Sequence, residues 1–177
     1  MSTKTKIIGV VLLIILGVAS RFLPHAWNFT PITAIILFSS AYFGLRYSVV
    51  ALFSILFLSD LFLGFYHWPI LLAVYVCFAL TALVGLMVKD MKFSSVFVGT
   101  ISSSLVFFLI TNWAVWQFGS MYEHTWSGLT QSYVMALPFF RNSLAGDLFY
   151  SGILFGSLKA FFALKKGWYT SVYEKTS

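Results

Sequence analysis

The sequence predicts an all-α integral membrane bundle of about six transmembrane helices, and three observations carry that expectation. Of 177 residues, 60% are hydrophobic and only 9% charged, whereas a soluble domain carries roughly 45–50% and about 25%. Apolar stretches of membrane-crossing length recur along the whole chain, each needing about 20 residues. The basic residues also alternate between the connections, the pattern that orients a multi-pass protein. Disorder, nucleic-acid binding and a soluble enzyme core are excluded together, because each needs polar surface that 11 Lys and Arg plus 5 Asp and Glu cannot provide. One compact membrane domain over residues 1–177 is expected.

Window hydropathy, stopped at breakers, puts the spans at about 7–23, 31–45, 47–65, 69–88, 94–118 and 143–164. The first follows Lys4 and Lys6 and imitates a secretory signal, with Gly17-Val18-Ala19 as a small-residue cleavage site. Charge sorting argues instead that it is retained. The second span is short, opens with Pro31 and meets the third through Gly44-Leu45-Arg46, which fits a shallow or partly re-entrant helix. The third contains the run Ala51 to Ser59 and then Asp60. The fourth holds Cys77, the one cysteine, so the chain has neither a disulfide framework nor a Cys-based metal motif. Its depth there makes a small buried residue the default reading. Small residues recur every fourth position in span five (Ser95, Gly99, Ser103) and span six (Gly152, Gly156, Ala160), spacing that suits close packing inside the bundle, or against a partner helix. The long connection Gly119 to Asn142 reads as a loop on the membrane surface, and its part from Glu123 onward as a cover over a site.

With the first segment retained and the N-terminus cytoplasmic, Lys4, Lys6, Arg46, Lys89, Lys92, Lys159, Lys165, Lys166 and Lys175 lie inside, nine of the 11 basic residues. Arg21 and Arg141 lie outside. Both termini are then cytoplasmic, and the +6 net charge reports topology rather than a nucleic-acid partner. The outer half gathers the chemistry: His25, Asn28, Asp60, His67, Asn112, His124, Arg141, Asn142 and Asp147, together with Trp116 and Trp126. Aromatic belts account for much of the tryptophan enrichment. Asp60 is different, because a carboxylate near the end of an apolar run calls for a partner, and Arg21, Arg141 or a histidine could provide it. Asp147 opens span six, where a carboxylate suits the positive end of a helix dipole as well as a pocket.

The three histidines fall in three separate loops without His-x-x-x-His spacing, so no metal site is expected. No Gly-rich phosphate loop, nucleophile triad or paired catalytic carboxylates can be identified, so neither a cofactor nor enzymatic activity is expected.

The strings Arg21-Phe22-Leu23-Pro24-His25 with Asn28-Phe29-Thr30-Pro31-Ile32, Leu58-Ser59-Asp60-Leu61 with Gly64, and Pro138-Phe139-Phe140-Arg141-Asn142-Ser143-Leu144 with Gly146-Asp147-Leu148 resemble an uncharacterised bacterial family assigned to membrane transport. That family is in turn similar to the substrate-binding S components of energy-coupling-factor vitamin transporters, six-helix proteins with an outward-facing pocket. The likeness implies an S-component-like bundle in the bacterial cytoplasmic (inner) membrane that takes a small, vitamin-like molecule from the outer side for uptake. It also implies energising or partner membrane subunits. Helix one carries Gly9, Gly17 and Ala19 without the Ala-x-x-x-Ala step of S components that dock on a shared coupling subunit. In the resulting expectation Asp60, His25 and Arg141 hold polar groups while Trp116 and Trp126 cover apolar surface. The competing expectation is a structural or assembly subunit of a larger membrane complex, without its own ligand.

Overall fold

The computed structural model describes residues 2–24 and 28–174, with side chains through Lys165. Among these residues there are six helices and no strand: α1 Thr3–Ser20, α2 Ile32–Tyr42, α3 Leu45–Leu63, α4 Trp68–Met87, α5 Phe93–Phe118 and α6 Trp126–Glu174. All but α2 are long and apolar enough to cross a membrane. The chain is therefore an all-helical, multi-pass membrane protein.

Local chemistry sets the helix ends. The Ser2 hydroxyl accepts from the Thr5 N–H at 3.2 Å and caps α1. Pro69 stands in the first turn of α4, where its missing N–H costs nothing. Gly44 and Gly64 flank α3 with φ of 101° and 92°, a region that side chains avoid, so the chain reverses there at little cost.

The bundle is organised around its shortest helix. Ten of the eleven α2 residues are buried, and α2 touches each of the other five helices. The Ser40 hydroxyl donates to the Ala82 carbonyl at 2.5 Å, and the Ser48 hydroxyl donates to that of Ile36 at 2.8 Å. These bonds replace water for groups that lipid could not satisfy. Gly85 lets α4 approach α2: a Cβ there would come within 2.6 Å of the Ser40 Cβ and 2.8 Å of the Leu37 carbonyl. By contrast, α1 is peripheral and packs on α2 and α3 through the stripe Val10, Leu13, Gly17.

Three expectations need correction. The segment 31–45 is shorter than its hydropathy limits: α2 has 11 residues and rises about 16 Å, roughly half a hydrocarbon core, the length of the shallow or partly re-entrant helix expected there. Hydropathy registered it because a helix buried in protein is as apolar as one buried in lipid. Second, the long loop between spans five and six shrinks to residues 119–125, because α6 begins at Trp126 rather than 143. Thr125 caps it, its hydroxyl accepting from the Gly128 N–H at 3.1 Å, and Pro138 lies inside the helix rather than ending it. Third, the face Gly152, Gly156, Ala160 does not pack internally. It is exposed, and a Cβ on either glycine would meet nothing within 4 Å. The matching face of α5 is internal, with Gly99 set against Val88 and Val84.

Polarity divides along the bundle axis. One end holds Arg21, Asp60, His67 and the 119–125 turn, and is called here the Arg21 end. The opposite end holds Lys4, Lys6, Arg46, Lys89 and Lys92. There Asp90, in the α4–α5 connection, accepts from the Ser95 hydroxyl at 3.0 Å and lies 3.6 Å from the Lys92 ammonium. The Ser95 bond, followed by contacts with Lys92, holds its carboxyl below the usual range.

Candidate functional site

The shortness of α2 creates the site. Its C-terminal turn lies beside Ala82 and Gly85, deep along α4, so its N-terminus stops well short of the Arg21 end. The longer helices α3, α4, α5 and α6 continue past it and enclose a cavity of about 480 Å³, within the usual range for small-molecule sites. α2 contributes only its first two residues, Ile32 and Thr33, to the lining.

On the α6 wall, two hydrogen bonds set the register against α5. Ser104 of α5 meets Asp147 of α6, and Leu109 meets Tyr133. Five steps along α5 are thus matched to fourteen along α6, about 7.5 Å of rise against about 21 Å, with the long Tyr133 side chain spanning part of the difference. Within this stretch the two helices still meet, Phe108 packing on Phe140 with ring centroids 4.5 Å apart. Pro138 falls within it and removes the helical hydrogen bond that would reach the Val134 carbonyl, a usual cause of bending. Ala136, Phe139, Phe140 and Ser143 line the cavity from this stretch. Gly146 lets the chain before α2 approach α6 closely, since a Cβ there would come within 3.1 Å of the Phe29 Cα.

Two acidic groups organise the polar contacts. Asp60 is 1% exposed and accepts from Arg21 Nη1 at 2.6 Å. The same nitrogen donates to Ser59 Oγ at 2.6 Å. Arg21 follows α1 immediately, so this pair also pins the end of that helix to α3. Asp147 is 5% exposed at the cavity floor. Its Oδ2 accepts from the Ser104 hydroxyl at 2.6 Å, and Thr33, in the first turn of α2, gives a second side-chain hydrogen bond. Between them the lining is aromatic: Phe78, Phe107, Phe108, Phe139 and Phe140. Tyr66, in the α3–α4 connection, closes the rim. Loss of solvent, then the nearby Asp60 carboxylate, push its phenol up to about 12.

Of the residues singled out from sequence, Asn28, Asn112 and Asp147 line this cavity. Asn28 does so from a left-handed backbone conformation, φ 61°. Asn112 donates to the Phe108 carbonyl at 2.8 Å. Asp60 stands behind the lining and acts through Arg21. Arg141 and Asn142 face a separate depression with Phe29, Leu137, Pro138 and Ala145. His67 is exposed at the start of α4. The expected covering role of Trp116 and Trp126 is not what the arrangement provides. The Trp116 indole donates to the Glu123 carbonyl at 2.9 Å and meets His124 edge-on, bracing the turn, while Trp126 is 85% exposed. His25 lies outside the described residues. Sequence reading missed Ser104, Thr33 and the phenylalanines. Ser104 lies one turn after Thr100 and beside the recognised Ser103, so the only available signal was a polar face on an apolar helix.

Among the described residues no group of three His, Cys, Asp or Glu side chains is placed to hold a metal ion. Residues 1–168 match the model of a family of unknown function (DUF6580). The chain belongs to that family. The match reaches from α1 through the residues enclosing the cavity and into the later part of α6. No curated protein and no solved structure matches the chain.

Proposed function

We propose that this family member is a transport protein of the bacterial cytoplasmic membrane that binds a small molecule from the outer side for uptake. The observation that carries the reading is the cavity of about 480 Å³ above the short α2, with polar groups at its rim and floor and phenyl rings between them. Orientation follows from the basic residues: Lys4, Lys6, Arg46, Lys89 and Lys92 gather at one end, which the positive-inside rule makes cytoplasmic. The cavity then opens outward, and both termini are cytoplasmic. The role is binding rather than catalysis, since the sequence carries no catalytic motif. An energising membrane partner enters this reading only through the resemblance to S components, and helix one lacks the Ala-x-x-x-Ala step by which those proteins dock on a shared coupling subunit.

The test is native mass spectrometry of the purified protein with identification of any retained molecule, repeated on Ala136→Trp, which places an indole in the lining. A small molecule present in the wild type and lost from a folded Ala136→Trp supports the reading. A molecule retained equally by both overturns it. Orientation is tested by replacing Cys77 with Ser and introducing single cysteines at Lys92 and Ser120. Labelling from outside at position 120 and not at 92 is expected, and the reverse refutes the assignment.

One observation favours a second reading, a subunit of a larger membrane complex without its own ligand. The exposed face Gly152, Gly156, Ala160 has the spacing at which a partner helix can approach closely. Copurification with a larger complex and no bound small molecule would favour it.

A further inference from the structure

Among the described residues the charges around the cavity do not balance. Of these residues, the ionisable ones that line it are Arg21, Tyr66 and Asp147. Arg21 is matched by Asp60 at 2.6 Å, and the Tyr66 phenol is neutral at physiological pH. Asp147 has hydroxyl partners, Ser104 and Thr33, and no cation within ion-pair distance among the described residues. The first turn of α2 contributes a partial positive charge near Thr33, about half an elementary charge, which softens a full negative charge without cancelling it. An unmatched carboxylate inside a membrane bundle is costly, and such groups mark substrate or ion pathways.

The walls favour the same sign. Aromatic rings present negative faces, which attract a cation within about 6 Å of the ring centre. Phe78 and Phe107 pack tilted at 45° with ring centroids 5.1 Å apart, and Phe108 and Phe140 at 32° with centroids 4.5 Å apart; all four rings line the cavity that holds Asp147. An anion would be repelled by Asp147 and would find one guanidinium, whose Nη1 is already shared between Asp60 and Ser59. A neutral molecule would leave Asp147 unmatched.

We propose that the cavity selects an organic monocation, its ammonium or related head held by Asp147 and its apolar body held between the Phe78–Phe107 and Phe108–Phe140 pairs. This rests on reading the cavity as a small-molecule site and adds the charge class of the ligand. The hydroxyls of Ser104 and Thr33 orient the carboxylate toward the head group, and the Arg21–Asp60 pair remains a neutral rim.

The test uses the full-length protein in detergent, freed of retained molecules, and three probes of one shape: phenethylammonium, 2-phenylethanol and 3-phenylpropionate. Isothermal titration should show phenethylammonium binding at least tenfold more tightly than either of the others. Asp147→Asn should abolish that preference while leaving 2-phenylethanol within about twofold of its wild-type affinity. The wild-type comparison stands alone if the variant fails to fold. Equal binding of the ammonium and the alcohol, preference for the propionate, or a preference surviving in folded Asp147→Asn overturns the charge assignment and leaves a small-molecule site in place. If none of the three binds at millimolar concentration, the cavity reading falls and the charge class falls with it.

Discussion

α1 and α2 are consecutive, equally apolar to inspection, and opposite in use. α1 has the length to cross a membrane, yet buries only Val10, Leu13 and Gly17. α2 is too short to cross and buries ten of its eleven residues. Apolarity in a membrane protein therefore says that a segment avoids water, and says nothing about whether lipid or protein surrounds it. The short helix does more for the site than the long one. By stopping below the Arg21 end, α2 leaves the space that its longer neighbours enclose. α1 contributes through the residue at its end, Arg21.

The comparison would break most visibly at Arg21. Replacing it with Ala leaves Asp60, 1% exposed, as a buried charge without a partner, a loss of about 3–5 kcal/mol. Denaturation of Arg21→Ala in detergent should show a large drop in stability, while Arg21→Ala/Asp60→Ala recovers much of it. No recovery in the double variant would mean that the pair is not what fastens α1 to α3.

Packing around α2 comes next. Ile36→Ala removes atoms from a site with no exposure. Because lipid is as apolar as the core, the transfer contribution shrinks and the lost contacts remain, about 2 kcal/mol, at the lower end of values for soluble cores. The matched change in α1, Leu12→Ala at an exposed site, should stay within about 0.5 kcal/mol. Equal losses in the two variants would erase the distinction between the helices.

A smaller effect sharpens the picture within α6. Gly146→Ala pushes a methyl to 3.1 Å from the Phe29 Cα and should lower the melting temperature by a few degrees while weakening binding in the cavity. Gly152→Ala meets open space and should leave the melting temperature of the isolated chain unchanged. A drop for Gly152→Ala that depends on protein concentration would instead point to self-association through that face.

The smallest effect is spectroscopic. With its phenol pushed up to about 12 by lost solvent and Asp60, Tyr66 should ionise after an ordinary tyrosine. The unfolded chain then gives up this proton first, so Tyr66 contributes stability that is intact below about pH 10 and fades between about pH 10 and 12. Difference absorbance of wild type against Tyr66→Phe would resolve the late-titrating group. Its appearance near pH 10 would place Tyr66 in open solvent rather than at the rim.

How much of this was legible depends on whether the signal was local. The helices around α3 and α4 fell within a few residues of their hydropathy limits, because Gly44, Gly64 and Pro69 punctuate the chain where it reverses. The need of Asp60 for a partner could be read from its neighbours, and Arg21 was among the candidates, although the two are 39 positions apart. The extent of α6 was misread because Pro138 and the polar residues around it look like a loop. In the folded chain Tyr133 donates to the Leu109 carbonyl and Phe140 packs on Phe108, and those contacts with α5 hold the helix past the proline.

By itself the sequence determined the solvent of this protein, its helical class, the approximate number of its helices and the separation of basic from mixed polar residues. Each follows from composition or from windows of about 20 residues, the scale on which transfer from water to an apolar medium is decided. Only the tertiary structure decided that α2 is the buried centre, that α6 runs unbroken from Trp126 through Pro138, and that Asp147, Ser104 and Thr33 meet at the floor of a cavity. Those features depend on how far one helix reaches relative to its neighbours, and hydropathy, which treats lipid and protein interior alike, carries no record of relative depth.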